Sequence, residues 1–339
     1  MLRWLVVRLA WMVVTLVGVT FVTFAMLRIA PVDRAEIEVA RQQQDLGFHN
    51  LEARERAVLR LRLRYGTIDP DTLEPLPLWR GYANWIGNAL QLRLAGPNDD
   101  NVAFLRRLRD ALPVSLWLGF LALLVAGLVG VPLGAWLGMR ADAPVDRAVS
   151  WLLFVAVGIP EFLLATLLLL GLAGAWLAWF PSSGLRSPGA EAWTFPRQLI
   201  DFAWHLVLPV TVMASAPTVL VTRFLRDSVA RVAASPFAAN LRALGVPPRV
   251  IRWRLVRNGG APLATLAGSL LPMLVGGSIV VENLFALDGL GHLAFRAAEE
   301  QDQATVMTIV LLTSAVTLVA LIVSDLLHRW VDPRVRFES

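Results

Sequence analysis

The stretch SPFAANLRALGVPPRVIRWRLVRN, residues 235–258, lies between two long apolar segments and predicts two short helices joined by a tight turn. Ser235 can cap the first helix through its side-chain oxygen, and Pro236 suits the first helical position. Gly245 can adopt the left-handed conformation that ends a helix, and the prolines after it prevent continuation. A second helix follows, in which arginines are interleaved with apolar residues.

This stretch has two interpretations. It is either an ordinary cytoplasmic loop whose arginines only set the orientation of the chain in a membrane, or a surface through which a partner moves the chain. The small residues Ala238, Ala239 and Ala243 would let the surface of a partner approach the first helix closely. The choice between the two interpretations depends on the rest of the chain.

The composition is that of an integral membrane protein. The chain has 339 residues, of which 56% are hydrophobic, and a mean hydropathy of +0.60. It contains no cysteine, so neither disulfides nor thiolate chemistry is available. The formal charge of +5 could suggest nucleic acid as a partner, but the arginines flank apolar spans, as membrane orientation requires.

All 31 basic residues are arginines, because the chain has no lysine. A Walker A loop needs a lysine to contact the nucleotide phosphates, and Schiff-base chemistry needs one as the nucleophile. Both are therefore excluded from this chain. If ATP drives the protein, another chain must bind it.

Six apolar runs are long enough to cross a bilayer. They are residues 9–27, 111–139, 149–180, 205–225, 261–284 and 305–327. The first lacks a small-x-small cleavage site, so we predict an uncleaved helix rather than a signal peptide. The third is long enough to need a tilt or a kink, for which Pro160 supplies a cause. Pro209 and Pro217 are expected to interrupt the fourth.

Three glycines form a stripe on the second span. Gly130, Gly134 and Gly138 recur at every fourth position and offer a flat face to a neighbouring helix. We expect that neighbour within the same chain, in preference to a seam between two copies.

The segment from 31 to 112 is the only polar region large enough to have structure of its own. A helical spacing of apolar residues predicts a helix that lies on the membrane surface or buries one face. These residues are Trp79, Tyr82, Ala83, Ile86, Ala89 and Leu90. Upstream, Glu52 and Arg56 suit a helix, whereas the alternation of leucines and arginines around Leu61 would equally suit a strand.

The arginines predict the orientation. With six spans both termini lie on one side, and that side has most of the arginines outside the long segment, whose length exempts it from the positive-inside rule. They are Arg3, Arg8, Arg140, Arg147, the arginines from Arg223 to Arg257, Arg329, Arg334 and Arg336, against Arg186, Arg197 and Arg296 opposite. We therefore expect both termini and the 235–258 stretch in the cytoplasm.

Few residues suggest chemistry. The acids Glu161, Glu282 and Asp325 lie within or at the ends of spans, where ionisable groups are costly and often functional, but snorkelling or helix capping would explain each. The histidines have no metal-ligand spacing. They are His49, His205, His292 and His328. We expect no catalytic or metal site.

Several motifs, in this order and spacing, resemble the permease subunits of bacterial ABC importers for di- and oligopeptides, a class that also includes nickel importers. These motifs are MLRWLVVRLAWMVVTLVGVTFVTFAMLRIAP at the N-terminus, LPLWRGYANW, RLRDALPVSLWLG, GIPEFLLATLLLL, FPSSG, HLVLPV, VVENLFALDGLGHLAFRA and DLLHRWVDPRVR. The resemblance covers nearly the whole chain.

The resemblance implies that the 235–258 stretch is the coupling loop, which docks into a cleft of the ATPase. Where the family has its Glu-Ala-Ala signature, counted back from Gly245, this chain has Ala239, Asn240 and Leu241, so a contact through that glutamate is absent. The residues assigned to ATPase coupling are Ala239, Asn240, Leu241, Arg242, Gly245, Arg249 and Arg252. The resemblance implies alternating access without covalent chemistry in this chain.

The resemblance further implies an all-α integral membrane protein of six transmembrane helices, like a type I ABC importer permease with an extracytoplasmic insertion after the first helix. The expected regions are an N-terminal helix (1–30), the insertion (31–112), a five-helix core (113–328) that includes the coupling loop (226–260), and a cytoplasmic tail (329–339). The chain would lie in the bacterial inner membrane.

The implied partners are a second homologous permease, two ATP-binding subunits with ATP and Mg²⁺, an extracytoplasmic substrate-binding protein and membrane lipid, with no nucleic acid and no cofactor in this chain. Two other functions are an ATP-independent secondary carrier or channel, and a membrane scaffold. Uptake that persists without an ATPase would favour the carrier, and a deletion without any uptake defect would favour the scaffold.

Overall fold

The computed structural model describes residues 2–29, 35–40, 51–96, 100–174, 177–260, 262–270 and 279–331. These residues are mostly helical. The helices are α1 (Leu2–Ile29), α2 (35–40), α3 (Leu51–Arg64), α4 (Leu78–Leu90), α5 (Asn101–Gly138), α6 (Pro144–Gly158), α7 (Glu161–Leu168), α8 (Phe195–Ala233), α9 (Pro236–Ala243), α10 (Pro248–Gly260), α11 (Leu263–Leu270), α12 (Ile279–Leu284), α13 (Leu290–Glu299) and α14 (Gln303–Val331).

Two compact units make up the chain. One contains Met1–Asp110 and Leu293–Ala315, and the other contains Ala111–His292 and Val316–Ser339. In the first unit α4 packs on α1 through Tyr82, whose hydroxyl lies 2.7 Å from Thr20 Oγ1 and whose ring meets Phe21 edge-on. Tyr82 is the buried residue of α4, whereas Trp79, Ala83 and Leu90 of the predicted apolar face are exposed, so the helix buries only part of that face within the protein.

The region around Leu61 is a helix rather than a strand. It forms α3, Leu51–Arg64, and Arg56 pairs with Glu52 one turn earlier at 2.9 Å. The i,i+4 spacing of that pair is the helical signal. The alternation of leucines and arginines is accommodated on the helix surface.

In the second unit the glycine stripe of α5 packs against α8. A Cβ atom on Gly130 would lie 3.0 Å from the carbonyl oxygen of Thr218, and one on Gly134 would lie 2.6 Å from that of Thr222. Such backbone contact is what small residues allow. The expectation of packing within one chain is confirmed.

The third predicted span is sharply bent. Helices α6 and α7 meet at 97°, and a short π-helical turn, Leu169–Ala173, follows α7. Ile159 at the break is extended, with φ −81° and ψ 117°, because a residue before proline is pushed out of the helical region. Pro160 therefore causes the bend, as predicted.

Helix α8 differs from the prediction at both ends and in its interior. It begins at Phe195, inside the predicted loop, and ends at Ala233, beyond the predicted end of the span near Leu225. The sequence did not indicate the first turns because Arg197 and Asp201 make them polar. It also continues through Pro209 and Pro217, so the predicted interruption is wrong. Neighbouring helices and local adjustments make prolines tolerable in membrane helices.

Four described helices are long and apolar enough to span a membrane, and the bent pair α6 and α7 would make a fifth. The four are α1, α5, α8 and α14. The middle of the remaining predicted span, residues 271–278, lies outside the described residues. The count of six spans therefore stays a prediction.

Candidate functional site

Residues 235–260, which we call the α9–α10 loop, form the predicted pair of helices. Helix α9 ends in a Schellman motif, in which the N–H of Gly245 donates to the carbonyl of Arg242 at 3.0 Å and that of Val246 to Leu241 at 3.2 Å. Gly245 has a φ of +67°, the left-handed conformation predicted from the sequence. Pro248 starts α10.

Ser235 lies at the N-cap position, but the predicted side-chain cap is wrong. Its hydroxyl donates to the carbonyl oxygen of Val232 at 2.6 Å and makes no capping hydrogen bond. The last carbonyls of α8 have no partner within their own helix, so they compete for the hydroxyl. The serine therefore joins the end of α8 to the start of α9.

A small apolar core holds the α9–α10 loop together. Ala238, Leu241, Ile251 and Leu255 are buried and pack with Val232, Ala233 and Val246. Ala238 thus contacts the chain itself, so the expectation that it faces a partner is wrong. Ala239 and Ala243 remain exposed.

The loop is also packed closely onto α8. A Cβ atom on Gly259 would lie 2.7 Å from Val229 Cγ2 and 2.9 Å from Val229 Cα. Only glycine allows this approach, and nothing in the sequence around Gly259 marked it. The α9–α10 loop is therefore attached to the end of α8 by packing as well as by the chain.

The outer surface of the loop is apolar and cationic. Leu244 is 78% exposed and Trp253 is 66% exposed. The arginines of α10 are exposed too, and within the described part of the chain they form no ion pair. Exposed apolar groups beside unpaired charges are typical of a surface that binds a protein.

The structure brings the predicted coupling residues together on this loop. Six of them are exposed, namely Ala239, Asn240, Arg242, Gly245, Arg249 and Arg252. Leu241 is only 6% exposed and belongs to the core of the loop. It can position the surface but offers little of its own side chain to a partner.

A second cluster surrounds Glu282, whose side chain is fully buried. Ser115 Oγ donates to Glu282 Oε1 at 2.7 Å, and the N–H groups of Gly291 and His292 donate to Oε2 at 2.7 and 3.2 Å. The N–H of Leu290 donates to Ser115 Oγ at 2.8 Å. Glu282 therefore caps α13, where the unpaired N–H groups of the helix attract an acceptor.

The LDGLGH motif makes this capping possible. A Cβ atom on Gly289 would lie 2.3 Å from Glu282 Oε2 and 2.7 Å from Ser115 Oγ. The glycines thus let backbone reach a buried carboxylate. We call Glu282, Ser115 and residues 285–292 the Glu282 turn.

Distant sequence motifs meet at the Glu282 turn. The N–H of Gly184 in FPSSG donates to the carbonyl of Phe285 at 2.9 Å. Phe285 also packs in a core with Leu206 and Leu208 of HLVLPV and with Leu118 of α5. These motifs therefore build one structure.

Two of the histidines have structural contacts. His205 Nδ1 lies 2.8 Å from the carbonyl oxygen of Asp201, and His292 Nδ1 lies 3.2 Å from Asn283 Oδ1. His49 and the side chain of His328 lie outside the described residues. Where the structure is described, no three His, Cys, Asp or Glu residues form a metal-binding group.

Comparison with known proteins gives a family and full-length relatives. Residues 130–337 match the family described as "Binding-protein-dependent transport system inner membrane component". The chain is 27% identical to the peptidoglycan transport system permease protein YejB of Agrobacterium fabrum, over 98% of this chain and 97% of the relative. It is 26% identical to the oligopeptide transport system permease protein AppB of Bacillus subtilis, over 95% of both. It is 27% identical to the dipeptide transport system permease protein DppB of Bacillus subtilis, over 100% of this chain and 99% of the relative.

Proposed function

We infer the cargo and the partners from one premise: this chain belongs to the family of binding-protein-dependent transport system inner membrane components and is a permease subunit of an ABC importer. We propose that the importer carries di- or oligopeptides. Support comes from relatives named as oligopeptide and dipeptide permeases, which align over nearly the whole chain. Recognition of individual peptides is assigned to a separate substrate-binding protein.

The α9–α10 loop is the surface that an ATPase subunit holds. The observation that carries this assignment is its exposed apolar and cationic face, mounted on a core that fixes it to α8. Two ATPase subunits that bind ATP and Mg²⁺ would draw together and move the loops of this chain and of a second, homologous permease. The transmembrane helices of the two permeases would then reopen toward the other face of the membrane.

The departure from Glu-Ala-Ala changes which contacts are expected. Ala239 and Asn240 are exposed and uncharged, so neither supplies a carboxylate to the ATPase. Leu244 and Trp253 would supply apolar contacts, and Arg249 a charged one. The arginines of the loop also favour a cytoplasmic location for it and for both termini.

The test replaces Gly245 with proline and measures copurification of the ATPase subunit and uptake of a peptide panel in a deletion strain. Proline cannot adopt a φ of +67°, and it removes the N–H that donates to Arg242. We expect both ATPase association and peptide uptake to fall by at least about tenfold, the equivalent of about 1.4 kcal/mol.

The matched control is Gly189→Pro, because Gly189 has a φ of +79° in a different loop. This control should leave ATPase association intact. If Gly245→Pro preserves both association and uptake, the coupling function of the loop is wrong. Uptake of nickel but of no peptide would overturn the proposed cargo alone.

A further inference from the structure

An ion pair between a buried carboxylate and a partly buried arginine joins α6 to α8. Asp146, in the first turn of α6, is 1% exposed. Arg226 of α8 donates from Nε to Asp146 Oδ1 at 3.1 Å and from Nη2 to Oδ2 at 2.5 Å. The N–H of Asp142 also donates to Oδ2, at 2.9 Å. A bidentate pair of this kind fixes the relative orientation of its two helices.

Arg226 lies on the part of α8 that holds the α9–α10 loop. Helix α8 continues unbroken from Arg226 to Ala233, and α10 packs against Val229 one turn later. Whatever displaces the loop must therefore displace Arg226 as well. The arginine carries that displacement to the carboxylate of Asp146.

The end of α5 is seated at the same place. A Cβ atom on Gly138 would lie 2.6 Å from the carbonyl oxygen of Arg226 and 2.8 Å from Val229 Cβ. Residues 139–143 then connect α5 to α6. The pair between Asp146 and Arg226 thus links the start of α6 to the end of α8, on which the end of α5 is packed. We call these three segments the block.

We propose that Asp146 and Arg226 are positioning residues that make the start of α6 move with the α9–α10 loop during transport. Motion imposed on the loop then arrives at the far end of α6, where the chain bends by 97° into α7. This inference rests on the proposed coupling function of the loop, and it adds the route by which motion leaves that loop.

A distance measurement tests whether the block moves as one body. The chain has no cysteine, so Val145→Cys and Asn258→Cys add the only two labelling sites to it. Both side chains are exposed, one at the start of α6 and the other in α10. Spin labels there are compared in the importer assembled with cysteine-free partner subunits, without nucleotide and with ATP trapped.

We expect the same narrow distance distribution in both nucleotide states, and a broader one when Asp146→Asn is added. A distance that changes between the two states in the otherwise unaltered chain would overturn the proposal. So would an unchanged distribution in the Asp146→Asn variant, because the pair would then not hold the block together.

Coupling is the second readout. Asp146→Asn should keep ATPase association and basal ATP hydrolysis but lower peptide transported per ATP by about twofold to thirtyfold, the usual span of mutational effects on coupling. Arg226→Lys should do the same, since a lysine keeps the charge but not the bidentate geometry. Arg226→Lys also tests the proposal if Asp146→Asn fails to fold.

The control is Asp227→Asn. Asp227 pairs with the same arginine, Oδ1 to Nη1 at 3.0 Å, but its side chain is 54% exposed. We expect transport per ATP in this variant to stay within about twofold of the unaltered chain, because exposed pairs contribute little. Equal effects of Asp227→Asn and Asp146→Asn, or no effect of Asp146→Asn and Arg226→Lys, would overturn the proposal. Failure of the unaltered chain to associate with an ATPase subunit would instead refute the proposed function.

Discussion

The α9–α10 loop and the Glu282 turn are both short connections whose backbone depends on glycine, yet they use their polar groups in opposite ways. The loop leaves Leu244, Trp253 and its α10 arginines exposed. The turn buries its carboxylate completely and gives it three hydrogen-bond donors. The first arrangement leaves surface for another protein, and the second is complete within the chain.

This difference shows how to interpret a charged residue in a membrane protein. Glu282 is conspicuous in the sequence because an acid inside a predicted span is costly. Its contacts nevertheless explain it as a helix cap, since each of its oxygens accepts from groups of the chain. By contrast, the fold does not explain the exposure of Leu244, which is unremarkable in the sequence.

The largest effect should come from Glu282→Ala. The substitution leaves Ser115 Oγ and the N–H groups of Gly291 and His292 without their acceptor in a buried place. We expect a loss of about 3 kcal/mol or more in the free energy of unfolding, since each buried unsatisfied group costs about 1–3 kcal/mol. Thermal unfolding of the detergent-solubilised protein measures it.

Glu282→Gln is the matched variant. Its carbonyl oxygen can still accept some of these hydrogen bonds, so it should lose less stability than Glu282→Ala. An alanine variant as stable as the unaltered chain would contradict the view that the turn is held together by this side chain.

The next effect tests the glycine of the turn. In Gly289→Ala the new Cβ would lie 2.3 Å from Glu282 Oε2, which forces the carboxylate or the backbone to move. We expect a loss of about 2 kcal/mol, within the usual cost of overpacking. Gly127→Ala in α5 is the control, because nothing lies within 4 Å of its added Cβ. Equal melting temperatures for the two variants would refute the close approach.

The smallest stability effects separate two leucines of the α9–α10 loop. Leu241 is 6% exposed and Leu244 is 78% exposed. Leu241→Ala should lose about 1.5 kcal/mol of stability, the low end of the transfer free energy of a buried leucine. Leu244→Ala should change stability by less than about 0.5 kcal/mol, as most exposed substitutions do.

Binding of the ATPase should reverse that order. Leu244→Ala removes an exposed apolar contact. It should lower the amount of ATPase that copurifies per amount of detergent-stable permease. If Leu244→Ala destabilises the permease as much as Leu241→Ala does, Leu244 is part of the internal packing and the α9–α10 loop does not hold it available for another protein.

Local features of the chain were predictable from the sequence. Hydropathy indicated the four long spanning helices and the bent pair that the described residues contain, Gly245 predicted the left-handed turn, and Pro160 predicted the bend. Each of these signals acts over a few residues, because a helix end or a kink depends on the backbone of its immediate neighbours. The motifs along the chain likewise identified the family, which the comparison confirmed.

Only the tertiary structure decided which side chains are buried or paired within the fold. Ser115 and Glu282 are 167 residues apart in the chain, and Asp146 and Arg226 are 80 residues apart. Such contacts depend on which faces of distant helices meet, and a hydropathy pattern does not specify that rotation. The same is true of burial within α9, where Leu241 faces α8 and α10 while Leu244 faces outward. The sequence by itself determined a membrane permease with a glycine-ended loop, and the packing of distant helices determined which of its residues remain free to contact a partner.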